Sequence, residues 1–417
     1  MDNEPPPHFK PQHLRQPSTQ TDFGSVAIPV VRSPAPPAKA PDIAAKILGT
    51  SCKIAAVSAN TQPVSMLSEC LGAGLVPALI EATGGRLRGV HFFKSLWQRG
   101  GASTATGTYN TDLGPVEVVV KVPVAYSEYS WSRQLAAAAG DDPHSPVPRI
   151  LDGGIELGGY DLAWLICEKL NGHIVPAGPS AASAKNASAG QACVAVQSML
   201  LSVAKMQLLA ERVRPIEELD LGKGSEWQRA IASSREAVRR AQFPDSQKWH
   251  NLLKAVARRL PCLLDRWTHR GVNAWCHGDV HPGNAMQRTG VPMVYLCDAA
   301  AFSADTGLPS VPVERPPCVL IDLALIHPGH WLEDALYLER VFWGRQHLLS
   351  NINSLKCLAA YRRQLGLPCI GDYGLLANVR RVLTAAAAPG LFEREGNVHY
   401  LRHALGLIER ILPAVAH

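Results

Sequence analysis

Near residue 190 the chain switches from a β-rich to a helical hydrophobic pattern, and that switch limits what it can fold into. Residues 102–123, ASTATGTYNTDLGPVEVVVKVP, are rich in Thr and Val with glycines at turn positions, which predicts a β-hairpin. YSEYSWSRQLAAAAG follows as a helix closed by Gly140. PVPRILDGG and YDLAWLICEKLNG predict further strands. From about residue 190 the apolar residues recur at helical spacing instead, in QACVAVQSMLLSVAKMQLL, SQKWHNLLKAVARRLPCLLDRW, WLEDALYLERVFW, NSLKCLAAYRRQL, YGLLANVRRVLTAAAA and VHYLRHALGLIERIL. Two short apolar strands, VPMVYLCD and PCVLID, lie between these helical blocks. A small β-rich lobe, a hinge and a larger, mostly helical lobe follow from this order, in a chain of 417 residues that is long enough for both.

The N-terminal region stands apart. Ten of the 32 prolines fall within the first 41 residues, among Ser, Gln and Thr, so residues 1–41 are expected to be a disordered tail. Residues 42–84 carry two apolar-periodic segments and are expected to form a helical extension, followed by the β-rich lobe with its hinge over 85–172 and the helical lobe over 173–417. A formal charge of +6 is small for this length, and no Lys/Arg block or aromatic-basic interleaving suggests a nucleic-acid groove. The ten cysteines are scattered without a C-x-x-C pair, so neither a zinc site nor a small disulfide framework is written here. With no signal-peptide stretch and no run able to span a bilayer, a soluble, reducing, cytoplasmic setting is expected.

Residues 275–286, WCHGDVHPGNAM, are too polar for a core strand and too broken by Gly and Pro for a helix interior. Phosphoryl transfer needs an aligned nucleophile and neutralised phosphates, usually with Mg²⁺, and this stretch supplies suitable parts. Asp279 can orient a hydroxyl and accept its proton; Asn284, five residues on, offers a neutral oxygen to a metal. A capped polar turn and a metal-hydrolase cluster of the two His with the Asp are the competing readings. The remaining histidines, such as His327 and His330, form no spaced ligand set for the second of these. A further metal ligand should follow an apolar strand, because Mg²⁺ prefers hard oxygen donors. Asp322 in VLIDLALIHPGHWLEDALYLER does so, and Asp298 in MVYLCDAAAF is its rival.

The pattern H-G-D-x-H-x-x-N, filled by His277, Gly278, Asp279, His281 and Asn284, resembles the catalytic loop of the aminoglycoside phosphotransferase and choline kinase families of small-molecule kinases. The resemblance implies a bilobal protein-kinase-like α+β fold, with ATP (or GTP) and Mg²⁺ as cofactors. In that pattern Asp279 is the catalytic base, and Asn284 and Asp322 hold the metal. Asp322 is favoured over Asp298 because Gly329 and Asp334 follow it as the family pattern requires, which makes 299–317 an insertion. Asp334 would tie the following helix to the loop rather than touch substrate.

The resemblance extends through the β-rich lobe. Lys121 in EVVVKVP matches the kinase strand lysine, and Glu128 at the start of the next helix is placed to pair with it. Glu168 to Gly172 match the hinge that meets adenine through backbone groups, with Leu170 giving apolar contact to the base. These parts appear in order from about 100 to 340. Two departures stand out: GGASTATGTYN lacks G-x-G-x-x-G, and Gln207 occupies a position where the family places His.

The expected acceptor is the hydroxyl of a small molecule, with no nucleic-acid or membrane partner. Polycationic aminoglycosides call for an acidic site, yet residues 323–417 hold seven acidic residues against ten Lys or Arg. Trp331, Trp343, Tyr337 and Tyr400 could line a pocket, although aromatics at helical spacing are more often core. A catalytically silent nucleotide-binding or scaffold protein of the same fold is the competing class.

Overall fold

In a computed structural model of the protein, the described residues are 74–93, 102–172, 189–216, 224–240, 243–288, 290–292, 294–296, 313–315, 317–345, 349, 352–369, 372–395 and 397–415. All of them belong to one compact unit, Asn60–His417. The tail expected over 1–41, most of the extension expected over 42–84, and Asp298 lie outside the described residues.

A short helix α1 (Val76–Ala82) leads into a five-stranded sheet of β1 (Leu87–Phe92), β2 (Ser103–Thr111), β3 (Gly114–Val122), β4 (Ile150–Gly154) and β5 (Trp164–Glu168). The sheet is antiparallel throughout, in the order β1-β2-β3-β5-β4. The expected hairpin is β2–β3, in register from Ser103↔Val122 to Thr111↔Gly114. Alternation then decides which side chain faces where. Val118, Val120 and Val122 are fully buried against Leu79, Leu87, Ala105, Trp164 and Ile166. Lys121 must therefore point from the opposite face, paired across to Leu165.

Between β3 and β4 runs α2 (Tyr126–Ala139), whose buried residues Glu128, Trp131, Ser132 and Leu135 repeat at the spacing of one helical face. Trp131 and Leu135 join the core of the helical lobe, and Trp131 meets Trp275 at 4.7 Å between ring centroids. Burying a side chain such as Leu135 contributes roughly 1.5–3 kcal/mol. The same packing fixes the face that carries Glu128.

The helical lobe comprises α3 (Ala189–Val213), α4 (Ser225–Val238), α5 (Ser246–Thr268), α6 (Leu332–Val341), α7 (Ser354–Gln364), α8 (Tyr373–Glu395) and α9 (Val398–Ile411). Six of these seven match the periodic segments read from the sequence. The seventh, α4, was not read: Trp227 is only partly covered, and Ile231, Ser234, Ala237 and Val238 make a narrow stripe with few large apolar side chains. Strand β1 was not read either, since LRGVHF is short and interrupted by Gly89. Pro389 sits inside α8, and the next amide, Gly390 N, donates to Ser234 Oγ of α4 at 3.0 Å.

Six three-residue strands complete the lobe: β6 (Ala274–Cys276), β7 (Ala285–Gln287), β8 (Val294–Leu296), β9 (Val313–Arg315), β10 (Cys318–Leu320) and β11 (His327–Gly329). They pair as β6–β11, β7–β10 and β8–β9. The two apolar segments expected to be strands are β8 and β10. No helix among the described residues is long and apolar enough to cross a membrane.

Candidate active site

The segment between β6 and β7 is held from both ends. Cys276 pairs with His327, and Ala285 pairs with Leu320, so the loop 277–284 is stretched between two antiparallel ladders. Gly278 adopts φ +83°, and a Cβ there would lie 2.5 Å from Leu325 O, so only glycine fits the turn. His277 is fully buried; its Nδ1 accepts from Asp279 N at 3.2 Å, which leaves Nε2 to donate to Ile321 O at 3.1 Å. Burial lowers the pKa of this imidazole, in keeping with a neutral ring that braces the loop. Next to it, burial raises the Cys276 thiol well above its ordinary value, so that residue is packing, not a nucleophile.

Asp334 approaches the loop from beneath. Its Oδ2 and Oδ1 accept from the backbone amides of His277 and Gly278 at 3.0 and 3.1 Å. Gln207 on α3 also donates to Asp334 Oδ2 at 3.0 Å, and its own Oε1 accepts from Arg362 Nη1 at 2.6 Å. Asp334 thus ties α6 to the loop, as expected. The carboxamide of Gln207 does this tethering, at the position where the resemblance implied a histidine.

Asp279 faces the other way. Asn284 Nδ2 donates to its Oδ2 and to its backbone carbonyl, each at 3.0 Å. His281 Nε2 lies 3.5 Å from the same Oδ2, and the Tyr337 hydroxyl donates to Oδ1 at 2.5 Å. Burial acts to raise this carboxyl, but the hydrogen bonds from His281 and Tyr337 outweigh it and bring its pKa down to about 2. Because Asn284 spends its amide protons on Asp279, its carbonyl oxygen is left as the available donor to a cation.

Across the loop, Ile321 N donates to Asn284 O at 3.0 Å, which brings Asp322 beside Asn284. Asp322 takes a left-handed backbone, φ 65°, and its side chain is 47% exposed. Lys121 Nζ lies 3.8 Å from Asp322 Oδ1 and is hydrogen-bonded to Glu128 Oε1. Burial acts to lower the Lys121 pKa, but the Glu128 and Asp322 carboxylates more than offset it and hold the value above the ordinary one. Strand β3, helix α2 and the turn after β10 therefore meet at one cation.

The expected hinge is anchored rather than free. Glu168 is engaged by Arg288, whose Nη2 lies 2.5 Å from Glu168 Oε1 and whose Nε lies 3.1 Å from it. The same guanidinium donates to Pro143 O, Ser145 O and Val147 O at 3.0–3.1 Å. Leu170 is buried, and Asn171 and Gly172 exchange backbone hydrogen bonds with Gln287 of β7. The carboxylate of Glu168 is thus occupied by Arg288 and by the amide of Arg149, and it is not left for a ligand. Arg288 and Tyr337 had no motif to mark them: each acts on a residue 120 or 58 positions away.

Residues 118–296 match the sequence model of the Phosphotransferase enzyme family, APH. The matched segment contains Lys121, Glu128, Glu168, Leu170, Asp279 and Asn284 and ends before Asp322. No curated protein matches the chain. Among solved structures, it is similar to a glucosamine kinase in complex with glucosamine, ADP and inorganic phosphate, at 14% identity over 85% of this chain and 87% of that one, with a TM-score of 0.46. A spectinomycin phosphotransferase in complex with ADP and spectinomycin is 10% identical over 82% and 98% of the two chains, with a TM-score of 0.45. A macrolide 2′-phosphotransferase from Brachybacterium faecium is 12% identical over 80% and 98%, with a TM-score of 0.42.

Proposed function

We propose that this chain, which carries the phosphotransferase family sequence over residues 118–296, moves a phosphoryl group from ATP to a hydroxyl of a small molecule. The observation that carries the reading is that opposed charges gather around one point, where Asn284 adjoins Asp279 on one side and the strand end carrying Asp322 on the other. The ionised carboxylate of Asp279 comes to that point from the loop, and Lys121, kept charged by Glu128 and Asp322, comes to it from the sheet.

Each residue has a distinct task. Lys121 offers positive charge to the phosphates, and Glu128 fixes where its ammonium points. Glu168 to Gly172 present backbone groups to the base, beside the apolar side chain of Leu170. With a pKa of about 2, Asp279 is ionised at any physiological pH; it aligns the acceptor hydroxyl by accepting its hydrogen bond and takes the proton as the oxygen bonds to the γ-phosphorus and the bond from that phosphorus to the departing ADP oxygen breaks. Asn284 and Tyr337 hold that carboxylate in place.

The donor set also fits Mg²⁺. The Asp322 carboxylate and the free Asn284 carbonyl oxygen are hard ligands on adjacent turns, and among the described residues no cluster of three His, Cys, Asp or Glu competes with them. Two protein oxygens are what such an ion needs when phosphates and water complete its shell. When bound, Mg²⁺ neutralises phosphate charge.

The metal assignment is open to direct test. Asp322→Asn is expected to abolish Mg-ATP turnover, and Asp298→Asn is expected to leave it largely intact. The reverse result in a coupled ADP-release assay would move the metal to Asp298 and make PCVLID a structural strand.

A further inference from the structure

Helix α6 supplies a partner to Asp279 and carries several charged side chains beside it. Tyr337 brings its hydroxyl to Asp279 Oδ1 at 2.5 Å. Arg340, one turn further on, places its guanidinium carbon 5.1 Å from the centroid of the Tyr337 ring. The carboxylates of the same helix are all engaged. Glu333 is paired with Arg270 at 3.0 Å and Arg380 at 3.6 Å. Asp334 is bound to the loop amides and Gln207. Glu339 accepts Arg381 through both oxygens, at 2.9 and 2.7 Å. Arg340 differs: among the described residues no carboxylate lies within ion-pair distance of it.

We propose that Arg340 is the acceptor-recognition cation, and that the acceptor is a small hydroxyl compound bearing a carboxylate or other anionic group. The inference rests on the phosphotransferase reading and adds the substrate class to it. A polycationic acceptor would find no free carboxylate on this helix and would meet a guanidinium that no described carboxylate neutralises, set one tyrosine ring away from Asp279. An anionic acceptor would supply the missing counter-ion, and a planar guanidinium is suited to receiving it through two parallel hydrogen bonds. Asp279 is itself negative, so the anionic group belongs on the far side of the Tyr337 ring while the hydroxyl reaches the aspartate. The Tyr337 ring is the spacer between the two.

Binding separates this proposal from its alternatives. With a non-hydrolysable ATP analogue and Mg²⁺ present, calorimetric titrations would compare glycerate with glycerol, gluconate with glucose, and kanamycin as a polycation. The acids are expected to bind at least about ten-fold more tightly than their neutral twins, a difference of one well-formed ion pair. Arg340→Gln should erase the preference and Arg340→Lys should retain part of it, with unfolding curves confirming that both variants fold. The proposal is overturned if no acid binds, if glycerol, glucose or kanamycin binds as well as the acids, or if the preference survives Arg340→Gln. Nucleotide affinity in the same samples keeps the two readings apart. Nucleotide binding without acid binding removes only the Arg340 subsite, and absence of nucleotide binding removes the phosphotransferase reading along with it.

Discussion

An aspartate meets each face of the loop 277–284, and the two are held in opposite ways. Asp334 is fully buried, and its hydrogen bonds go to backbone amides and a buried carboxamide. Asp279 keeps 24% of its side chain exposed, and its partners are side chains that a substrate could share or displace. The residue type is the same and the two lie 55 positions apart: one fixes the loop's shape, and in the proposed function the other acts on the acceptor. Stability should therefore respond to the core face and turnover to the Asp279 face.

The largest stability effect is expected at Asp334. Asp334→Ala strands the amides of His277 and Gly278 inside the lobe and removes the acceptor of Gln207. Each buried orphan costs about 1–3 kcal/mol, so the total loss should be about 3 kcal/mol or more. Urea denaturation would measure it, and a change below about 1 kcal/mol would mean the loop is shaped by its flanking ladders alone. Gln207→Leu comes next. It leaves the Arg362 guanidinium without its 2.6 Å acceptor and Asp334 with one partner fewer, for an expected loss of about 1–3 kcal/mol. Nucleotide affinity should change little, because both groups lie on the core face.

On the Asp279 face, Tyr337→Phe should be milder and pH-dependent. Removing the hydroxyl takes away a hydrogen bond that favours the ionised carboxylate, so the Asp279 pKa should rise from about 2 toward the ordinary 3.8. The sign follows from linkage. A carboxyl whose folded pKa is depressed stabilises the protein above its unfolded pKa, and that contribution fades as pH falls toward about 2. The stability gap between wild type and Tyr337→Phe should be full at pH 7 and narrower at pH 3. A gap that stays constant with pH would show that Tyr337 acts by packing and not through the charge of Asp279.

What could be read in advance follows the same division. Lys121 was legible because EVVVKVP matches a kinase-type strand lysine, and Glu128 because it opens the next helix seven residues on; strand alternation and the helix face of Trp131 and Leu135 explain why the two meet. The loop was legible because Gly278, Asp279 and Asn284 act over a few residues, where spacing in sequence is spacing in space. Gln207 was noticed as a departure from the family, but its role depends on Arg362, which is 155 residues away. Arg288 lies in no motif, yet it joins Glu168 to three carbonyls of the segment before β4. Such contacts are set by tertiary packing, and local pattern carries no trace of them. Helix α4 was missed for a different reason: its buried stripe uses Ser and Ala against α8, which lowers the apolar signal on which periodicity depends.

The division of labour at this site is tested most directly by titrating Mg-ATP into wild type, Asp279→Ala and Lys121→Ala by calorimetry, with turnover followed in parallel. Wild type and Asp279→Ala should bind nucleotide with similar affinity, while turnover of Asp279→Ala falls by ~10²–10⁴-fold. Lys121→Ala should lose nucleotide affinity itself, since it removes the cation that faces the phosphates. If Asp279→Ala instead lost nucleotide binding as Lys121→Ala does, or kept full acceptor phosphorylation, Asp279 would not be the acceptor-aligning carboxylate and the two faces of the loop would not divide structure from chemistry.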